Sequence, residues 1–182
     1  MIQLTASRFV RDLTTDYPDF PSPGILFRDL TPVFADAQAF RAVVDALVDG
    51  LDGADGPGAA PVAIAGVEAR GFLLAAAGAY CSGLGVLAVR KAGKLPGTVL
   101  SESYELEYGS AALELHADRL PAGSPVLLVD DLLATGGTLA AAALLLERAG
   151  YVVAGIRVVV ELDGLGGRER LAGYEVSSIV RY

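Results

Sequence analysis

Short runs of apolar residues alternate along the chain with longer segments whose apolar positions recur every three or four residues. "VAIAGV" (62–67), "VLAVRK" (86–91), "VLLV" (126–129) and "VVAGIRVVVEL" (152–162) are apolar throughout or nearly so, as expected of strands covered on both faces. Helical spacing marks "TASRFVRDL" (5–13), "DAQAFRAVVDALVDGL" (36–51), "GFLLAAAGAYCSG" (71–83) and the alanine-rich stretch from Gly137 to Gly150. Asp36 is placed as an N-cap and Gly150 as a C-terminal stop. Residues 98–118 alternate polar and apolar positions and predict an antiparallel hairpin turning near Gly109. A short helix in 166–173 and a strand in 174–182 close the chain. "DYPDFPSPG" (16–24) is an extended, proline-rich connection leading to a short strand, "ILF". "DGADGPGAAP" (52–61) and "PAGSP" (121–125) are a loop and a turn. Apolar strands separated by helices predict an α/β fold, a central mainly parallel sheet flanked by helices.

Composition narrows the picture. The 182 residues are 53% hydrophobic and 20% charged, which suits one globular domain over 1–182. The apolar runs are too short for a membrane span, and the N-terminus lacks a signal-peptide core, which predicts a cytoplasmic protein. A net charge of −8 disfavours broad binding to nucleic acid or anionic membranes. One cysteine, Cys81, and one histidine, His116, cannot form a disulfide framework or a zinc cage. Cys81 is expected to be a buried structural thiol and His116 a solvent-facing strand residue.

The densest chemistry lies in "VDDLLATGGT". A strand ends on two adjacent carboxylates, Asp130 and Asp131, and a helix then opens through Ala134, Thr135, Gly136, Gly137 and Thr138. A helix N-terminus offers free N–H groups to an anion, the threonines add hydroxyl donors, and the glycines permit close backbone approach. Neither the Walker pattern nor G-x-G-x-x-G is present. Carboxylates accept from a vicinal diol, so an acid pair with a phosphate cradle fits a ribose 5-phosphate. Spacing alone leaves open a second reading, with Asp130 a helix cap and the glycines a turn.

This stretch resembles the 5-phosphoribosyl-1-pyrophosphate (PRPP) loop of the type I phosphoribosyltransferases. "DFPSPGILFRDLTPVF", "GVEARGF", "VRKAGKLPG" and "SYELEYG" are similar, in order, to blocks of the adenine-using members of that family. The resemblance implies the type I fold, with a base-pocket segment at about 17–34 and a lid loop and hairpin at about 91–117. It implies purine salvage, in which adenine and PRPP give AMP and pyrophosphate. Asp130 and Asp131 would hold the ribose and residues 134–138 the 5-phosphate. Glu68, Ala69 and Arg70, with Arg90, Lys91 and Lys94, would bind pyrophosphate. Ile25, Leu26, Phe27 and Arg28 would receive adenine, Ile25 and Arg28 through backbone groups.

Glu107 is implied as the catalytic group near the purine seven-position nitrogen, with Tyr108 beside it in the lid. Mg²⁺ is implied as cofactor, held mainly by PRPP rather than by protein ligands, and a homodimer as the assembly. A phosphoribosyltransferase for another nucleobase would keep the loop and change the base pocket. A non-catalytic PRPP-sensing regulator would keep the loop and add a partner surface, which the charge of −8 disfavours where that partner is DNA.

Overall fold

The computed structural model describes residues 2–51, 59–105 and 110–182. Most of the predicted loop at 52–61 and the hairpin turn near Gly109, with Glu107 and Tyr108, lie outside the described residues.

The doubly apolar runs are the middle of a seven-stranded sheet. β3 (Ala63–Val67) is buried at every position, and β7 (Pro125–Leu133) and β8 (Val152–Glu161) are buried over most of their length. With β4 (Gly85–Lys91), β5 (Leu100–Glu105), β6 (Ser110–Leu115) and β9 (Val176–Arg181), the order is β5-β6-β4-β3-β7-β8-β9. Strands β4, β3, β7, β8 and β9 are parallel to their neighbours, while the β5–β6 hairpin joins β4 antiparallel.

α5 (Gly137–Arg148) packs on one face of the sheet through Leu139, Ala142, Leu145 and Leu146, against Val126, Leu128 and Leu113. The other face carries α1 (Ile2–Leu13), α3 (Ala37–Val48) and α4 (Arg70–Ser82), packed on Ile64, Leu127 and Val129. A separate two-stranded sheet pairs β1 (Thr15–Pro18) with β2 (Leu26–Asp29). Two short helices, α2 (Thr31–Ala35) and α6 (Gly167–Arg170), complete the set.

The predicted caps are present. The Asp36 carboxylate accepts from the Gln38 and Ala39 N–H groups at 2.9 and 2.8 Å, a cap worth about 1 kcal/mol. After α5, Gly150 has φ +85°. Its N–H and that of Tyr151 donate to the Glu147 and Leu146 carbonyls, the paired bonds of a Schellman ending.

Four expectations need correction. β7 does not stop at Val129 but continues through the acid pair to Leu133, because its parallel pairing with β8 persists to Leu133↔Glu161. α2 was not foreseen, since five residues are too few for a periodic signal. Cys81 is exposed; it lies in the last turn of α4, past Ala79, the last buried residue of that helix. His116 follows β6 rather than lying in it, is half-buried, and sets Nδ1 3.2 Å from the Thr98 carbonyl oxygen.

α4 lies unusually close to the sheet. A Cβ on Gly66 would stand 2.4 Å from the Gly71 carbonyl oxygen and 2.7 Å from the Ala75 Cβ. A Cβ on Gly71 would meet the Asp130 carboxylate at 2.9 Å and the Val129 carbonyl at 3.1 Å. Both positions therefore exclude any side chain. Gly66→Ala is expected to lower stability by about 1–3 kcal/mol in urea unfolding, the usual penalty for overpacking. Unchanged stability would show that this contact yields freely.

Candidate active site

β3 and β7 are neighbours, yet the chain leaves them in opposite directions. From β3 it crosses by α4 on one face to β4; from β7 it crosses by α5 on the other face to β8. Such a reversal opens a crevice at the carboxyl ends of the strands. The loops after β3 (68–69) and β7 (134–136) both end there.

A cavity of about 210 Å³ occupies this crevice, lined by Arg70, Asp130, Leu132, Leu133 and residues 134–139. The phosphate-loop residues predicted from sequence, with Asp130, thus share one space with Arg70. Gly136, not Asp130, is the N-cap of α5; its φ is +77° and no side chain caps the helix. Asp130 lies inside β7, so the capping alternative falls. The first N–H groups of α5 are open to a ligand, as a phosphate cradle requires. Thr135 and Thr138 line the same wall, and among the described residues their hydroxyls have no protein partner.

Asp131 is 4% exposed, while Asp130 keeps part of its surface toward the cavity. Arg70 Nε stands 2.8 Å from Asp131 Oδ2, but off hydrogen-bond alignment, and this buried oxygen has no hydrogen-bond partner among the described residues. Asp130 Oδ1 accepts from the Asp131 N–H at 2.9 Å. Burial pushes the Asp130 carboxyl well above the usual range, and the charge of Asp131 adds to this. Asp131 is also raised by burial, against the opposing pull of Arg70. The pair therefore retains a proton to higher pH than separate carboxylates would.

The "GVEARGF" segment takes a more internal role than its sequence suggests. The Glu68–Ala69 peptide is cis, and Ala69 is the N-cap of α4, without a side-chain bond. The Glu68 carboxylate accepts from the Lys91 N–H at 3.0 Å and from Arg90 Nε at 3.3 Å. These bonds, the backbone one foremost, hold its pKa below the ordinary value. Arg90 also donates to the Lys94 carbonyl at 3.1 Å. Glu68 and Arg90 thus tie the loop after β3 to the loop after β4. Lys91 and Lys94 are exposed and do not line the cavity.

The base-pocket segment meets the crevice through Phe27, whose ring lies 6.0 Å from the Arg70 guanidinium and makes an edge contact with Phe20 at 5.2 Å. Leu26 is exposed. The Ile25 N–H donates to the Ser22 carbonyl, and its own carbonyl accepts from the Phe20 N–H, each at 3.2 Å; one carbonyl lone pair remains for a ligand. The Arg28 side chain turns elsewhere. It donates to both Asp16 oxygens at 3.0 Å and lies over the Tyr182 ring at 3.8 Å.

Several residues with a part in the site were not singled out from sequence. Glu114 accepts from the Gly93 N–H at 3.0 Å and supports the loop after β4. Asp29 bonds the Thr31 N–H and hydroxyl, and its pKa is lowered, chiefly by the first of these. Gly167 lies directly beneath the phosphate loop: a Cβ there would meet the Ala134 carbonyl oxygen. No local sequence signal marks Gly167 for this role, because the contact joins residues more than thirty positions apart.

Comparison with known proteins agrees with this geometry. Residues 34–180 match the family model described as phosphoribosyl transferase domain. An adenine phosphoribosyltransferase of Clavibacter michiganensis subsp. michiganensis is 66% identical over 99% of both chains. One from Francisella tularensis subsp. novicida is 48% identical over 96% of this chain and 98% of its own. Among solved structures, the Thermoanaerobacter pseudethanolicus adenine phosphoribosyltransferase superposes with TM-score 0.89 at 44% identity, covering 97% of this chain and 99% of that one. The Saccharomyces cerevisiae enzyme, solved with adenine and an imino-altritol bisphosphate, gives 0.90 at 39% identity with the same coverage. The chain belongs to the type I phosphoribosyltransferase family and, within it, to the adenine phosphoribosyltransferases.

Proposed function

We propose that this crevice carries out purine salvage as follows. The nine-position nitrogen of adenine bonds to the anomeric carbon of PRPP as the carbon–oxygen bond to pyrophosphate breaks, and AMP forms. The observation that carries the assignment of roles is the single cavity joining Asp130, Arg70 and the uncapped α5 N-terminus. The helix N-terminus, Thr135 and Thr138 bind the 5-phosphate. Asp130 and Asp131 accept from the ribose hydroxyls, which gives the orphaned Asp131 oxygen a donor. Arg70 neutralises charge on the leaving pyrophosphate, in a site where water is scarce. Glu68 and Arg90 hold Lys91 and Lys94 at the crevice rim, from which the lysines reach the same anion. Adenine lies on Phe27, with the Ile25 carbonyl as one edge acceptor. Glu107 is assigned the proton that the base loses at its seven-position nitrogen, and Tyr108 is assigned to the lid.

The donor set suits Mg²⁺. Carboxylate oxygens are hard, and two adjacent ones can take hydrogen bonds from its coordinated waters. On this reading most of its ligands come from PRPP oxygens and water rather than from the protein. When bound, Mg²⁺ adds positive charge against the departing pyrophosphate.

The homodimer has support in an apolar face. Leu73 and Tyr80 on the outer side of α4 are 52% and 90% exposed, and Val86 of β4, on the same side of the sheet, is 51% exposed. A second copy covering this face would remove them from water. Among the described residues no helix is long and apolar enough to cross a membrane.

With PRPP and Mg²⁺, AMP and pyrophosphate are expected from adenine, and no nucleotide from guanine, hypoxanthine or orotate. Chelation should abolish turnover and added Mg²⁺ restore it. Nucleotide formation from another base would overturn the base-pocket assignment.

Asp130→Asn is expected to separate stability from function. Its folded pKa lies above the unfolded 3.8, so the parent loses stability as pH rises through the folded value. Removing the charge should raise stability at pH 7 and lower kcat/KM for PRPP at least a hundredfold. Urea midpoints across pH and steady-state kinetics check both; a variant destabilised at pH 7 contradicts the electrostatics.

A further inference from the structure

Two charged or polar side chains are buried among the described residues, Asp131 and Glu161. Asp131 belongs to the crevice; Glu161 has no part in the chemistry above. It ends β8 directly opposite Leu133, the last residue of β7 before the phosphate loop. Its two oxygens accept four hydrogen bonds, from Arg168 Nε (2.8 Å) and Nη2 (2.5 Å), Arg181 Nη2 (2.7 Å) and Ser178 Oγ (2.8 Å). Arg168 is anchored further by a 2.8 Å bond to the Val176 carbonyl. Two-point binding of a carboxylate fixes a guanidinium in orientation as well as distance.

Arg168 is the second residue of α6, and the first, Gly167, is the floor of the phosphate loop. A Cβ on Gly167 would fall 2.2 Å from the Ala134 carbonyl oxygen and 2.8 Å from Leu133 Cδ1. A Cβ on Gly136 would fall 2.7 Å from the Gly167 carbonyl oxygen. The loop and α6 are therefore in backbone-to-backbone contact, and a displacement of α6 is transmitted to the loop. Leu171, fully buried, fixes the far end of α6 in the core; Arg168 fixes the end under the loop.

We propose that Glu161 and Arg168, with Ser178 and Arg181, form a positioning cluster that sets the height of Gly167 and so the geometry of the 5-phosphate loop. This rests on the assignment of residues 134–138 to the 5-phosphate. The cluster touches no substrate. Its action is confined to one of the two phosphate subsites, because the loop after β3 that faces pyrophosphate is tied instead to β4 through Glu68.

That confinement supplies the test. Ribose 5-phosphate and pyrophosphate are titrated separately into the parent protein, Arg168→Met and Arg168→Lys, with KM for PRPP and adenine measured alongside. Arg168→Met should weaken ribose 5-phosphate binding and raise KM for PRPP about tenfold or more. Pyrophosphate binding and KM for adenine should stay within twofold. Arg168→Lys, which keeps the charge but not the fork, should recover part of the loss.

Equal weakening at both subsites, or a lowered melting temperature with unchanged ribose 5-phosphate affinity, overturns the inference. Where Arg168→Met does not fold, Ser178→Ala removes one of the four hydrogen bonds and should show the same split at about threefold; no split there overturns it. Failure of the parent itself to bind ribose 5-phosphate would instead overturn the assignment of the loop.

Discussion

The distance between α4 and the sheet governs the site. Gly66 on β3 and Gly71 in the first turn of α4 face each other where neither has room for a Cβ. This contact draws the helix start over the carboxyl end of β7 and puts Arg70 within 2.8 Å of Asp131. A helix on ordinary side chains would stand farther from the sheet and leave two buried carboxylates facing each other without a counter-charge, an arrangement of several kcal/mol. A backbone packing constraint is thus the condition for an electrostatic one, and the electrostatic one for the proposed ribose site. The fold holds the acid pair in place by the way it packs, not by neutralising it fully.

The two buried carboxylates, Asp131 and Glu161, are resolved in opposite ways. Glu161 is saturated by four donors, and its pKa falls well below the ordinary range, chiefly through Arg168. Asp131 keeps an oxygen with no aligned donor, and burial raises its pKa. A saturated buried carboxylate belongs to the framework, because nothing remains for it to bind. An unsaturated one is stable only because the rest of the protein holds it there, and it marks where a ligand hydroxyl completes the arrangement. Burial is common to the two, and satisfaction is what distinguishes structure from function here.

This distinction also explains what the sequence could reveal. Elements defined by local pattern were legible: the apolar strands, the Asp36 cap, the Gly150 ending, and the glycine-rich opening of α5. The loop before α5 was legible as a shared surface because its residues are contiguous, five positions that line one cavity. Features made by residues far apart in the chain were not. Nothing in "GVEARGF" indicates that Glu68 bonds the Lys91 N–H, twenty-three residues away. Nothing around Gly167 shows that it underlies Ala134, because that contact depends on α6 folding back from the end of β8. Cys81 was misplaced for a related reason: an apolar helix tail reads as buried until the turn-by-turn facing of α4 is known.

Residues 34–180, which match the general domain, contain the phosphate loop and the acid pair. The segment assigned to the base precedes almost all of that match and forms its own two-stranded sheet. It is joined to the body by few side chains. Phe27 reaches Arg70, and Arg28 bridges Asp16 to the ring of Tyr182, the residue after β9. A cation–π contact of a partly buried guanidinium contributes on the order of 1 kcal/mol, enough to orient a small sheet without welding it to the core. The Arg28 side chain thus fixes where the β2 backbone stands. The proposed phosphoribosyl and base sites thus lie on separate elements, and on that proposal the base pocket can vary while the loop after β7 stays as it is.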